Sequence, residues 1–211
     1  MNKTPDNSLV SDFTVLESNP VAGALMRLSR PTIRMLAEGR AVSVDEIGAA
    51  SGLLVREVRS LLLQLPDVEW DTAGHVVGLG LTPRPTDHAM GFDGTTMYAW
   101  CALDTLMFGV LLERPLVIRS RVPGTGDLVR VEIDANGLID VEPSTAVMSW
   151  VGETNADDFY TLRATFCHHI HFFPSAKSAE NWLAVHPGGT ILSLAQAYEA
   201  SRRLVDKFFP S

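Results

Sequence analysis

Residues 43–81 read SVDEIGAASGLLVREVRSLLLQLPDVEWDTAGHVVGLGL, and this stretch decides the architecture of the first part of the chain. Ser43 precedes Val44-Asp45-Glu46-Ile47, a capping hydroxyl followed by acids in the first helical turn, where the helix dipole favours negative charge. Ser51-Gly52 predicts a turn. Leu54–Leu65 predicts a second helix, with Val55, Val58, Leu61, Leu62 and Leu65 inward at helical spacing. Val68-Glu69-Trp70, Asp71-Thr72-Ala73-Gly74 and His75–Leu81 then read as strand, turn, strand. Helix, turn, helix and hairpin is the outline of a winged helix.

That outline raises DNA binding, and the charge pattern opposes it. The second helix offers only Arg56 and Arg59, with Glu57 between them, and the hairpin carries no Lys or Arg. Phosphate contacts need basic residues. The whole chain of 211 residues has 17 Lys+Arg against 25 Asp+Glu, a net charge of −8. No nucleic-acid partner is expected, and the winged helix reads as a packing module.

Upstream, residues 1–20 are polar and read as a mobile arm with at most one short helix. Val21–Ser29 and Pro31–Glu38 read as two helices, Pro31 suiting a first-turn position and Gly39 ending the second. Downstream, Pro83 and Pro85 mark a linker. Met97–Leu112 is apolar enough for a buried helix, with Thr95 or Thr96 as its cap. Leu116–Ser120, Leu128–Ile133, Leu138–Val141, Val147–Val151 and Phe166–Phe173 read as strands, and Ser178–Val185 and Ser193–Phe208 as helices. In the last, Leu194, Ala197, Tyr198, Ser201, Leu204, Val205 and Phe208 form one stripe that reads as core. With 46% hydrophobic and 20% charged residues the chain can bury such a core. No run of 18 or more mostly apolar residues exists and no signal peptide is visible, so no membrane association and a cytoplasmic location are expected.

The chain has two cysteines, too few for a disulfide scaffold, and both keep chemical company. On a helix, Cys101 and Asp104 would be neighbours three residues apart. A carboxyl buried in so apolar a segment has its pKa raised, which suits it to hold a proton near neutral pH. Cys101 would lie near the helix start, where the dipole favours thiolate. The second cysteine opens Cys167-His168-His169-Ile170-His171-Phe172-Phe173. On a strand, Cys167, His169 and His171 would point one way. Cys and His suit zinc or copper, but three ligands from one strand are spread too far to close a tetrahedron. A Cys101 nucleophile with a distant histidine base also stays open.

The run Tyr98-Ala99-Trp100-Cys101-Ala102-Leu103-Asp104-Thr105-Leu106 strongly resembles the active-site segment of bacterial organomercurial (alkylmercury) lyases. Phe166-Cys167-His168-His169-Ile170-His171-Phe172-Phe173 resembles their second active-site segment, and the helices and hairpin, including Gly74 and Gly78–Thr82, resemble their N-terminal domain. The resemblance implies an α+β fold: a polar arm over 1–20, a winged-helix-like domain over 21–82 and a lyase core of antiparallel and mixed sheets with helices over 83–211. It implies Cys101, Asp104 and Cys167 as the catalytic trio, and cleavage of a carbon–mercury bond in R–Hg⁺ to give R–H and Hg²⁺. Thiolates are soft ligands and mercury a soft cation. Asp104 would carry the proton from thiol to carbon.

Further expectations follow from the resemblance. Cys101 and Cys167 would hold the Hg²⁺ product until exogenous thiols or mercuric reductase remove it, with no cofactor required. Trp100 and Phe166 would wall the substrate pocket. His169 and His171 would orient the segment or hydrogen-bond the backbone rather than ligate mercury. Some relatives have cysteine where this chain has His168 and Val122, and neither position belongs to the trio. The polar arm and the loop around Gly152–Asp158 could cover the site. The rival reading is a non-enzymatic thiolate binder of Hg²⁺ or another soft metal, which has no need of Asp104. A metal-responsive regulator built on the winged helix lacks the basic recognition helix it would require.

Overall fold

The structure is a computed structural model that describes residues 20–65, 67–151, 162–186 and 188–209. The expected arm and the loop proposed as a cover at Gly152–Asp158 lie outside these residues, apart from Pro20.

Three helices open the described chain: α1 (Pro20–Leu36), α2 (Val44–Ser51) and α3 (Val55–Leu63). The two helices expected before Gly39 are one, because Pro31 sits inside α1. Proline removes an N–H donor and kinks a helix at a cost of about 3 kcal/mol. Burial of Leu25, Leu28, Ile33 and Leu36 along the same helix offsets that cost. The hydroxyls of Ser29 and Thr32 bond back to the carbonyls of Leu25 and Leu28 at 2.7 and 2.6 Å.

The Ser43 start of α2 is a complete capping box. The Ser43 hydroxyl accepts the Glu46 N–H at 3.2 Å, and the Glu46 carboxylate accepts the Ser43 N–H at 2.8 Å. These bonds and a salt bridge to Arg40 hold the Glu46 carboxyl down at about 2. Gly52 ends α2 at φ 70°. In α3, Val58 and Leu62 are buried as expected, whereas Val55 in the first turn is exposed. A two-stranded hairpin follows, β1 (Glu69–Trp70) with β2 (Val76–Gly78).

Strands β3 (Leu81–Thr82), β4 (His88–Phe92), β5 (Thr95–Ala99), β6 (Leu116–Arg121), β7 (Leu128–Asp134) and β8 (Gly137–Glu142) form one antiparallel sheet in the order β3-β5-β4-β6-β7-β8. The apolar helix α4 (Ala102–Leu112) interrupts them. It begins five residues later than the expected Met97. Asp93 and Gly94 both take positive φ, 49° and 77°, and this tight turn folds Thr95–Ala99 back on β4. The sheet thus claims Met97–Ala99 before the helix can start. A second sheet orders β10 (Phe172–Phe173), β9 (Val147–Val151) and β11 (Gly189–Ser193), with β9 in the centre. Between β9 and β10 lie a helical turn, α5 (Leu162–Thr165), and a 3₁₀ turn at Cys167–His169. Helices α6 (Ala176–Leu183) and α7 (Leu194–Phe208) complete the chain. No helix among the described residues is long and apolar enough to cross a membrane.

Buried residues of the N-terminal helices, both larger sheets and α7 form one continuous apolar cluster. The hairpin is fastened to the large sheet by Glu69, which is 9% exposed, accepts the Thr82 hydroxyl at 2.7 Å and pairs with Arg84 at 3.2 Å. Between these sits Gly80 at φ 71°, where an added Cβ would meet the Phe108 ring at 2.9 Å. Gly80→Ala combines left-handed strain with overpacking of α4, so a loss of about 1–3 kcal/mol is expected in chemical denaturation.

Candidate active site

Cys101 sits immediately before α4, in extended backbone at φ −146°, and Asp104 is the third residue of the helix. The Cys101 N–H donates to the Asp104 carboxylate at 3.2 Å. The pair is therefore a helix cap rather than two neighbours on a helix face, and the carboxylate is aimed back at the cysteine by that cap.

Cys167 arrives from a different part of the chain. The His169 N–H donates to the Phe166 carbonyl at 2.9 Å and the Ile170 N–H to the Cys167 carbonyl at 3.1 Å, which closes the 3₁₀ turn. The strand expected over Phe166–Phe173 is thus confined to its last two residues. Alternation along a strand does not apply to Cys167, His169 and His171. The turn is joined to α4 by a bond from the Ala102 N–H to the Ile170 carbonyl at 3.2 Å. A carbonyl from the segment after Cys167 so occupies one of the unpaired donors of the helix start.

The outcome is one cluster. The sulfurs of Cys101 and Cys167 and a carboxylate oxygen of Asp104 all lie within 4.8 Å of one another. Both cysteines are free, at 0% and 7% exposure. Asp104 keeps some solvent contact as a residue, but its carboxylate is enclosed by protein, and this burial raises its pKa to about 6 against the pull of Cys101, Arg163 and the Trp100 N–H.

The helix start does not make Cys101 a thiolate, contrary to the expectation from the dipole. Burial pushes its thiol well up, and the hydrogen bond to Cys167 and the nearby Asp104 charge push the same way, so the Asp104 N–H is outweighed. At Cys167 the bond from the Cys101 thiol lowers the pKa, yet burial and the charges of Asp104 and Asp67 leave it raised. The resting site therefore holds two protonated thiols beside a carboxyl that titrates close to neutrality. It can exchange a proton with a sulfur and present two soft ligands at once.

A family model described as alkylmercury lyase matches residues 81–206, and one described as the helix-turn-helix domain of alkylmercury lyase matches residues 13–80. The chain belongs to the alkylmercury lyase family. An alkylmercury lyase of Bacillus cereus is 41% identical over 98% of this chain and 94% of its own length. One of Staphylococcus epidermidis is 46% identical over 84% and 81%. A crystal structure described as the mercury-bound form of MerB2 superposes with a TM-score of 0.76 at 26% identity, covering 97% of this chain and all of the other.

Around the cluster, Phe166 is buried and meets Trp150 edge-on at 5.8 Å, and half-buried Trp100 carries the Arg163 guanidinium over its ring at 5.2 Å. The Trp100 indole N–H is buried without a hydrogen-bond partner among the described residues. His171 Nε2 lies 2.8 Å from the His168 carbonyl, so that nitrogen carries the proton and bonds the backbone. The His169 ring instead faces the rings of Trp182 and His186 at 6.2 and 6.1 Å. His168 is exposed, and Val122 is buried at the start of a tight turn closed by Gly126.

Arg163 and Ser149 belong to neither of the two cysteine-bearing runs. Arg163 lowers the pKa of both Asp104 and Cys167. Its signal in the sequence is that it is the only Arg or Lys between Arg130 and Lys177 and stands four positions before Cys167. Ser149 has no local signal.

The raised Asp104 pKa has a consequence for stability. The native state holds a proton that the unfolded chain releases near 3.8, so stability falls as pH rises from there to about 6 and the deficit is complete above that. Asp104→Asn keeps an oxygen for the Cys101 N–H and removes the ionisation. Denaturation curves should show the variant more stable than wild type by about 1–3 kcal/mol near neutral pH, with the gain vanishing below about pH 4.

Proposed function

We propose that Cys101, Cys167 and Asp104 carry out the family's reaction in this chain, protonolysis of the carbon–mercury bond of R–Hg⁺. Membership of the alkylmercury lyase family supports the activity. The observation that supports the residue roles is the buried cluster of two thiols and one carboxyl within 4.8 Å.

In the proposed sequence one thiol releases its proton to Asp104 and its sulfur captures mercury. The second sulfur adds and its proton leaves to solvent. Two sulfur donors raise electron density on the attached carbon, and Asp104 returns its proton there as R–H departs. The balance is R–Hg⁺ plus two thiols giving a dithiolate-bound Hg²⁺, R–H and one H⁺. A carboxyl with a pKa of about 6 suits both halves of that proton transfer. Thiolate formation from thiols raised by burial is driven by the sulfur–mercury bond itself.

Trp100 and Phe166 serve as pocket walls in this reading. Removal of Hg²⁺ by exogenous thiols, or hand-over to mercuric reductase, follows as the step that frees the two sulfurs. The site's cytoplasmic location fits its need for reduced thiols. Residues 21–82 act as the packing module and residues 83–211 as the catalytic part.

The test is hydrocarbon release from phenylmercury and methylmercury in excess thiol. Wild type should release benzene and methane. Cys101→Ser and Cys167→Ser should abolish release while leaving the fold intact. Asp104→Ala should lower turnover by about 100-fold or more, and mercurial binding much less. Tight Hg²⁺ uptake without hydrocarbon would replace the lyase by a sequestering binder, and undiminished turnover in Asp104→Ala would remove its proton-carrying role.

A further inference from the structure

Ser149 lies in β9, fully buried, at the point where the ladder between β9 and β10 stops. Phe172 pairs with Met148 and Phe173 with Val147. The next residue pair, Ser149 and His171, is only half a ladder. The Ser149 N–H donates to the His171 carbonyl at 2.9 Å. The His171 N–H donates to the Ser149 hydroxyl oxygen at 2.9 Å, not to a main-chain carbonyl, and the hydroxyl donates in turn to the His169 carbonyl at 2.8 Å. A side chain thus replaces the backbone as partner for two groups of the turn.

This substitution has a geometric effect. Continued pairing would hold His169–His171 flat along β9. The hydroxyl instead fastens both ends of that segment while Ile170 between them turns its carbonyl to the Ala102 N–H at 3.2 Å. Cys167 precedes the segment and its carbonyl accepts from Ile170. The place of the second sulfur relative to the helix start therefore depends on how the segment is held. The other partner of β9 is β11, paired from Gly189 to Ser193, so Ser149 is fixed from its far side and is a firm anchor.

We propose that Ser149 is a positioning residue that sets the separation of the Cys101 and Cys167 sulfurs, through hydrogen bonds to His169 and His171. Its hydroxyl is engaged with His169 and His171, and it acts by holding the turn. The inference rests on the proposed function for its consequence in turnover, but not for its consequence in two-sulfur capture of a soft ion.

Ser149→Ala and Ser149→Thr separate this from a general contribution to folding. Each is measured for thermal stability, for Hg²⁺ retention against a competing small dithiol, followed by the sulfur-to-mercury charge-transfer absorbance, and for kcat and KM with phenylmercury. Ser149→Ala should remain folded, lose Hg²⁺ retention by about tenfold or more, and lose kcat by about 10- to 100-fold, the scale of a displacement near 1 Å. Ser149→Thr keeps the hydroxyl and should restore both. If wild type cleaves nothing but Ser149→Ala still loosens Hg²⁺, the positioning role stands and the lyase reading fails. A lowered Tm in Ser149→Ala with Hg²⁺ retention and kcat unchanged would overturn the proposal.

Discussion

The Ala102 N–H bond to the Ile170 carbonyl, at 3.2 Å, is the constraint on which the cluster of Cys101, Asp104 and Cys167 depends. The start of a buried helix leaves donors that must find partners, and an unpaired buried donor costs about 1–3 kcal/mol. Here α4 is apolar along most of its length and packs against the six-stranded sheet, α1 and α7, and Cys101, Ala102 and Leu103 at its start are buried. The Asp104 carboxylate takes the Cys101 N–H, and the segment after Cys167 takes the next. Satisfying the helix start and assembling the site are the same set of bonds.

Burial then sets the chemistry. A capping carboxylate in solvent, such as Glu46, is held down at about 2 by its hydrogen bonds. Asp104 makes a bond of the same kind, and yet its pKa rises to about 6 because desolvation outweighs the bond. The same burial keeps both thiols protonated against the helix dipole. Two thiols that stay protonated beside a carboxyl that titrates near neutrality are the expected result of placing a cap in an apolar core.

The fold was legible where local chemistry acts alone. The Ser43 capping box, the Gly52 turn, the strands β6 to β9 and the buried stripe of α7 all stand close to where their residues predict. The departures occur where tertiary packing overrides a local signal. Pro31 sits within one continuous helix because four large apolar residues of that helix are buried. Met97–Ala99 joins the sheet because the Asp93-Gly94 turn returns the chain onto β4. Cys167 lies on a 3₁₀ turn because Ser149 ends the ladder that a strand would need.

Cys101, Asp104 and Cys167 stood out as candidates because the two runs that hold them resemble the family's active-site segments, and a buried carboxyl beside a cysteine already implies a raised pKa. Sequence also determined the acidic balance and the lack of a basic face on α3. What only the tertiary structure decided is the arrangement that makes those three residues one site. Cys101 acts as a cap rather than a helix-face residue, and Arg163 reaches Trp100 from four positions before Cys167. Ser149 meets the turn from a neighbouring strand. The physical reason is that these contacts join segments far apart in the chain, and a periodic pattern carries information only about neighbours a few residues away.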